Sequence, residues 1–121
     1  MKIRIQDNSV RYRLTKTEVH TLCEQGYVAS KTHFNGGVFT YAVQKVKEAH
    51  LKAQFANNTI LLQVPEQLID GWEHNEQVGF ENHMDLDSNG SLKLLLEKDF
   101  VCLDQRSEDQ SDNYPNPKAS H

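Results

Sequence analysis

The chain has only two cysteines and three prolines, and it contains no long apolar run. No stretch approaches the roughly 20 apolar residues that a membrane helix needs. The start, Met1-Lys2-Ile3-Arg4-Ile5, alternates charge with isoleucine and lacks the apolar segment of a signal peptide. Because the sequence shows no export signal, we expect Cys23 and Cys102 to be reduced thiols in a cytoplasmic protein, and their apolar neighbours predict that both are buried.

Positive charge is scarce in the second half of the chain. Residues 1–62 carry 9 Lys and Arg against 4 Asp and Glu, whereas residues 63–121 carry 4 against 13. The overall charge of −4 argues against general binding of nucleic acid. A chain polarised in this way either folds its halves against each other or offers two opposite faces to partners.

Strand patterns dominate the 121 residues, a length that predicts one domain. We predict an α+β fold with a mainly antiparallel sheet or a partly open barrel, with consecutive strands joined by hairpin turns and no parallel crossover. Residues 1–103 form the predicted domain, and residues 104–121 form an acidic tail. Residues 45–56 have helix-favouring composition, but Leu51, Ala53 and Phe55 alternate with polar residues, so we interpret them as strand.

Two helices are expected, near 16–25 and near 65–72. Thr15 and Glu18 match a capping box at the start of the first helix, and Gly26 supplies a left-handed stop. Pro65 is suited to open the second, short helix because its missing N–H costs nothing there. The inward-facing residues of that helix are predicted to be Leu68, Ile69 and Trp72.

The first predicted hairpin carries a basic face. Its alternation places four cations on one side: Lys2, Arg4, Arg11 and Arg13. Such a face can bind a phosphate or a carboxylate, and these four residues are the candidate ligand-binding set. The alternative is a solvated outer face, which is common in antiparallel sheets.

Two other patterns have structural interpretations. Residues 85–90, Asp-Leu-Asp-Ser-Asn-Gly, match the front of a calcium loop, but the twelfth position is Leu96 where a bidentate Glu is needed. We therefore interpret them as a hairpin turn. His20 and Cys23 lie three apart on the first helix, which allows a base–thiol pair, but the apolar position of Cys23 favours core packing. The sequence predicts no catalytic residue, metal ligand or cofactor.

The C-terminal end carries a second set of candidates. We expect part of it to dock on the domain by pairing its carboxylates with Arg or Lys of residues 1–52. The tail-docking residues are Asp104, Glu108, Asp109, Asp112 and Tyr114. A solvated tail is the alternative.

Two strings resemble a family of small uncharacterised bacterial proteins, a domain of unknown function. They are Glu97-Lys98-Asp99-Phe100-x-Cys102-Leu103 and Glu108-Asp109-x-x-Asp112-Asn113-Tyr114-Pro115-Asn116-Pro117, and residues 1–5 and 8–15 share the resemblance. The resemblance transfers no activity. It implies that the tail belongs to the domain.

Two functions remain open at this point. One is a non-enzymatic binding module whose basic face meets an anionic small molecule or an acidic protein. The other is a metal-dependent, phosphate-directed hydrolase similar to the triphosphate-tunnel enzymes, although their opening Glu-x-Glu-x-Lys strand is absent from this sequence. No membrane partner is expected.

Overall fold

The computed structural model describes residues 1–101 and 110–115, which form two four-stranded sheets that share one core. Sheet A has the order β1-β2-β8-β7. Its strands are β1 (Lys2–Gln6), β2 (Ser9–Leu14), β7 (Gly79–Asp85) and β8 (Ser91–Lys98). Sheet B has the order β3-β4-β6-β5. Its strands are β3 (Tyr27–Phe34), β4 (Gly37–Val46), β5 (Lys52–Ala56) and β6 (Thr59–Pro65).

Both sheets are built from two hairpins joined side by side. Each hairpin places its second strand in the middle of the sheet, and the two middle strands run parallel: β2 with β8, and β4 with β6. The α+β class is confirmed, and the sheets are open. The expectation that no parallel crossover occurs is wrong, because in each sheet the second strands of two hairpins pair in parallel.

The core lies between the inner faces of the sheets. Tyr12 and Leu96 of sheet A are fully buried, as are Val43 and Leu62 of sheet B. The Tyr12 hydroxyl donates to the Ile60 carbonyl at 2.8 Å, which gives this buried phenol a partner and ties the two sheets together. The same burial raises the pKa of Tyr12.

The first helix begins and ends where the sequence predicts. α1 (Lys16–Gln25) has Thr15 as its N-cap, and a capping box joins Thr15 and Glu18. Gly26 ends the helix at φ 83°, a conformation that favours glycine. Val19 and Leu22 are the buried residues of the helix and join the core.

The predicted helix near 65–72 is replaced by turns and a short 3-10 helix, Trp72–His74. Pro65 ends β6 by pairing with Val46, so it closes a strand where a helix start was expected. Ile69 and Trp72 are buried as predicted, but Leu68 is an exposed hydrophobic residue. The apolar pattern thus predicted the burial of Ile69 and Trp72 but not the backbone conformation of the segment that contains them.

The hairpin turns follow their sequence signals. Residues 45–56 contain the end of β4 and all of β5, so the strand interpretation is confirmed, with a loop between them. Asn57 and Asn58 join β5 to β6 at φ 52° and 56°. The β7–β8 turn spans residues 86–90, where the Leu86 N–H donates to the Gly90 carbonyl at 3.0 Å. None of the helices in the described residues has the length and apolar character needed to cross a membrane.

Candidate functional site

The four predicted cations form a compact group on the outer face of sheet A. In the β1–β2 register, Lys2 lies opposite Arg13 and Arg4 lies opposite Arg11. Directly opposed side chains in an antiparallel pair are about 5 Å apart at Cβ, so each cation faces another at close range. We call this set of four residues the cationic face.

Carboxylates from β8 and its C-terminal extension compensate part of this charge. Glu97 lies beside Arg13 in the parallel β2–β8 register, and its Oε1 is 3.4 Å from Arg11 Nε and 3.8 Å from Arg13 Nε. Asp99, only 5% exposed, contacts Lys2 Nζ at 3.2 Å. Three of the four cations therefore have an acidic neighbour.

Arg4 is the exception within the described part of the chain. It is exposed, and its partner there is neutral: Nη2 donates to Gln6 Oε1 at 3.1 Å. Its guanidinium faces the solvent opposite Arg11. Like charges that lie directly opposite each other in a sheet are destabilising. The arrangement leaves an uncompensated planar donor that can bind a carboxylate or phosphate with two parallel hydrogen bonds.

Close backbone packing fixes the position of Glu97. Gly79 of β7 lies opposite Glu97, and a Cβ at Gly79 would lie 2.2 Å from the Leu96 carbonyl oxygen and 2.9 Å from Glu97 Cα. Only glycine fits at this contact. The strand that carries Glu97 is thus held tightly between β2 and β7.

The predicted tail-docking residues are only partly within the described structure. Asp104, Glu108 and Asp109 lie outside it, as does Cys102. Asp112 accepts hydrogen bonds from the Lys16 N–H at 3.0 Å and from the Thr17 hydroxyl at 3.1 Å. Both of these contacts are with the start of α1.

Tyr114 binds to the segment that directly follows β8 at the end of sheet A. Its N–H donates to the Asp99 carbonyl at 2.8 Å, and its own carbonyl accepts from the Val101 N–H at 2.5 Å. Its ring packs against Phe100 at a centroid distance of 5.8 Å. Burial raises the pKa of Tyr114 to about 12.

A buried lysine lies beneath this tyrosine and was missed by the sequence reasoning. Lys98 is 4% exposed, and its Nζ donates to the Asn75 carbonyl at 2.6 Å. The ammonium lies 4.9 Å from the Tyr114 ring centroid and 5.6 Å from that of Trp72. Burial lowers the pKa of Lys98. The signal was present: Leu94, Leu96 and Lys98 share one face by the two-residue period of a strand.

The structure pairs His20 with a carboxylate rather than with Cys23. His20 Nδ1 lies 2.5 Å from Glu73 Oε2, and this hydrogen bond lowers the pKa of Glu73. Cys23 is a free, partly buried thiol that donates to the Ile69 carbonyl at 3.4 Å. Burial raises the pKa of Cys23, which makes the thiolate scarce at neutral pH. The contacts are those of a packed thiol, not of an activated nucleophile.

A cleft of about 380 Å³ opens between α1 and the turns that follow β6. Acidic side chains dominate its polar lining, and Lys45 lies among them with its Nζ donating to the Cys23 carbonyl at 2.9 Å. Among the described residues, no three His, Cys, Asp or Glu side chains are arranged to hold a metal ion.

A family model matches nearly the whole chain. Residues 1–118 match a family model described as a family of unknown function, DUF7009. No curated protein and no solved structure matches the chain.

Proposed function

The chain belongs to the DUF7009 family of unknown function, and we propose that it is a non-enzymatic binding module whose cationic face binds an anionic small molecule or an acidic protein. The observation that carries this proposal is the pair Arg4 and Arg11, directly opposed on β1 and β2, with Arg4 exposed and bonded only to the Gln6 amide among described residues. Opposed like charges lower stability in a sheet. A bound anion between them turns this repulsion into attraction.

The surrounding carboxylates support binding over catalysis. Glu97 is paired with Arg11 and Arg13, and Asp99 is paired with Lys2. These carboxylates hold the cations in place and are themselves engaged. A triphosphate-tunnel hydrolase is not favoured, because its cations and carboxylates line a closed barrel, whereas sheets A and B remain open.

The ligand class follows from the geometry of the face. Guanidinium groups bind planar oxyanions with two hydrogen bonds, so carboxylates and phosphates are the fitting ligands. Proteins that bind single-stranded nucleic acid stack the bases on aromatic side chains that lie among their cations. The cationic face consists of Lys and Arg only, so it does not favour a nucleic acid as ligand. The proposal includes a cytoplasmic location, which the free Cys23 thiol supports. In this proposal the carboxylates of Asp104, Glu108 and Asp109 compete with the anionic ligand for the cationic face.

The test is a binding titration with a matched control. Fluorescence anisotropy of a labelled poly-glutamate peptide and competition by inorganic triphosphate measure affinity for both ligand types at low salt. We expect Arg4→Gln with Arg11→Gln to weaken binding on the order of tenfold or more. Lys31→Gln with Lys52→Gln removes the same charge from sheet B and should change affinity little. Equal losses in the two double variants, or no binding by the native protein, would contradict the proposal.

A further inference from the structure

The two outer strands of sheet A, β1 and β7, each have a partner on one side only within the described residues. They also point in the same direction. β1 is antiparallel to β2, β2 is parallel to β8, and β7 is antiparallel to β8. A second copy placed beside the first in the same orientation therefore brings a β7 strand alongside β1 in parallel.

The hydrogen bonds between β8 and the segment that leads into β2 show which residues of β1 direct their backbone groups to the outer edge. The Lys93 N–H donates to the Asn8 carbonyl at 3.0 Å, so the even-numbered residues along β2 direct their backbone toward β8, and the odd-numbered ones toward β1. Arg11 pairs with Arg4, whose backbone groups are therefore used within the sheet. The backbone groups of Ile3 and Ile5 point to the open edge.

The same reasoning applies to β7. The Lys98 N–H donates to the Val78 carbonyl at 2.9 Å, so the even-numbered residues of this segment are bonded to β8. The odd-numbered residues, including Glu81 and His83, direct their backbone groups outward.

The side chains of the two edges are complementary. On β1, Lys2 and Arg4 lie on the outer face, while Ile5 lies on the core side and is 58% exposed. On β7, the exposed residues Glu81 and Asp85 share the outer face with Arg4, since Arg4, Arg11, Leu95 and Glu81 form one row across the sheet. The core side of β7 carries two apolar residues, Phe80 and Met84, both packed against the core.

Parallel pairing of β1 with β7 sets apolar side chains beside apolar ones and cations beside acidic ones. In a parallel ladder, a residue that offers its backbone groups to the neighbouring strand lies beside one whose groups point away. Ile3 and Ile5 then lie beside the core-side residues of β7, and Arg4 lies beside the outer residues that include Glu81. Antiparallel pairing would instead set Ile5 opposite Glu81 or His83, which mismatches apolar and charged side chains.

We propose that the acidic partner of the cationic face is a second copy of this chain, whose β7 adds in parallel to β1 and extends sheet A. This inference rests on the proposed function, since it names the partner of that face. Glu81 of one copy lies beside Arg4 of the next and neutralises its charge. Pairing of β1 with β1 is disfavoured, because it sets cations against cations.

The contact joins different surfaces of the two copies. Such a head-to-tail interface leaves one open β1 edge and one open β7 edge on every dimer, so it continues into a ring or a linear oligomer. The assembly should weaken as salt rises, because paired exposed charges are screened.

Charge reversal provides the experiment, with sedimentation velocity of the full chain over increasing concentration as the measurement. We expect the native protein to form species larger than a dimer, and Arg4→Glu and Glu81→Lys each to raise the dissociation constant at least tenfold. An equimolar mixture of the two variants should associate again, because each new charge then meets its opposite. Lys93→Glu makes the same charge change on the central strand β8 and should leave association unchanged.

A native protein that stays monomeric, or a mixture that does not recover association, would overturn the inference. The outcome separates the two proposals. A monomer that still binds poly-glutamate through Arg4 and Arg11 overturns the self-assembly and leaves the binding module standing, whereas loss of that binding as well removes both.

Discussion

Gly79 of β7 lies opposite Glu97 of β8 so closely that a Cβ at Gly79 would lie 2.9 Å from Glu97 Cα. Glu97 in turn contacts Arg11 and Arg13 on the cationic face. The close packing of one strand pair thus sets the position of the carboxylate that orients two of the four cations. We therefore expect a change at Gly79 to alter both the stability of the protein and the arrangement of the cationic face.

Gly79→Ala should destabilise the protein by about 1–3 kcal/mol, because the added methyl group collides with backbone atoms that cannot rotate away. The control is Gly36→Ala in the β3–β4 turn, where no heavy atom lies within 4 Å of a new Cβ. Chemical denaturation of both variants measures the difference. Equal stabilities would show that β7 can shift away from Glu97.

Tyr114→Ala should cost about 1–3 kcal/mol of unfolding free energy, since the ring packs on Phe100 and covers the Lys98 ammonium. Tyr27→Ala is the matched control, because Tyr27 is 48% exposed. Hydrogen exchange should show faster exchange of the Val101 amide in the Tyr114 variant. If both tyrosine variants lose the same stability, the return of residues 110–115 to sheet A contributes little.

The stability of the protein should fall as pH rises from 10 to 12. The pKa of Tyr114 is raised from 10.0 to about 12 in the folded state, so the unfolded chain loses this proton first and is favoured as pH rises. Tyr114→Phe should show a shallower fall over the same range. Phenolate absorbance of the native protein and of this variant, followed alongside unfolding, assigns the titration. Identical pH profiles would mean that the Tyr114 hydroxyl is as solvated in the folded as in the unfolded chain.

Local signals were enough to predict the elements that end on special residues. α1 is fixed by Thr15, Glu18 and Gly26, all within twelve positions of one another, and the β5–β6 hairpin by Asn57 and Asn58. These features depend on capping and turn conformation, which nearby residues determine.

The parallel pairs were not predictable in the same way. β2 meets β8 across most of the chain, and no short pattern specifies which hairpins lie side by side. For the same reason the sequence predicted the cations of the candidate site but not their partners, because Glu97 and Asp99 approach them only through this long-range pairing. Leu68 shows the opposite error: an apolar residue was assigned inward, but the turn that replaces the expected helix leaves it exposed.

The most direct measurement of the central claim compares binding with stability in a single variant, Arg4→Gln. Arg4 bonds only to Gln6 among the described residues and faces Arg11, so its charge contributes repulsion and little else to the fold. We predict that calorimetric titration with the acidic peptide shows affinity lowered by on the order of tenfold, while unfolding stability stays equal or rises by a few tenths of a kcal/mol. If the affinity is unchanged, or if stability falls together with binding, the claim that the cationic face binds an anionic partner is contradicted.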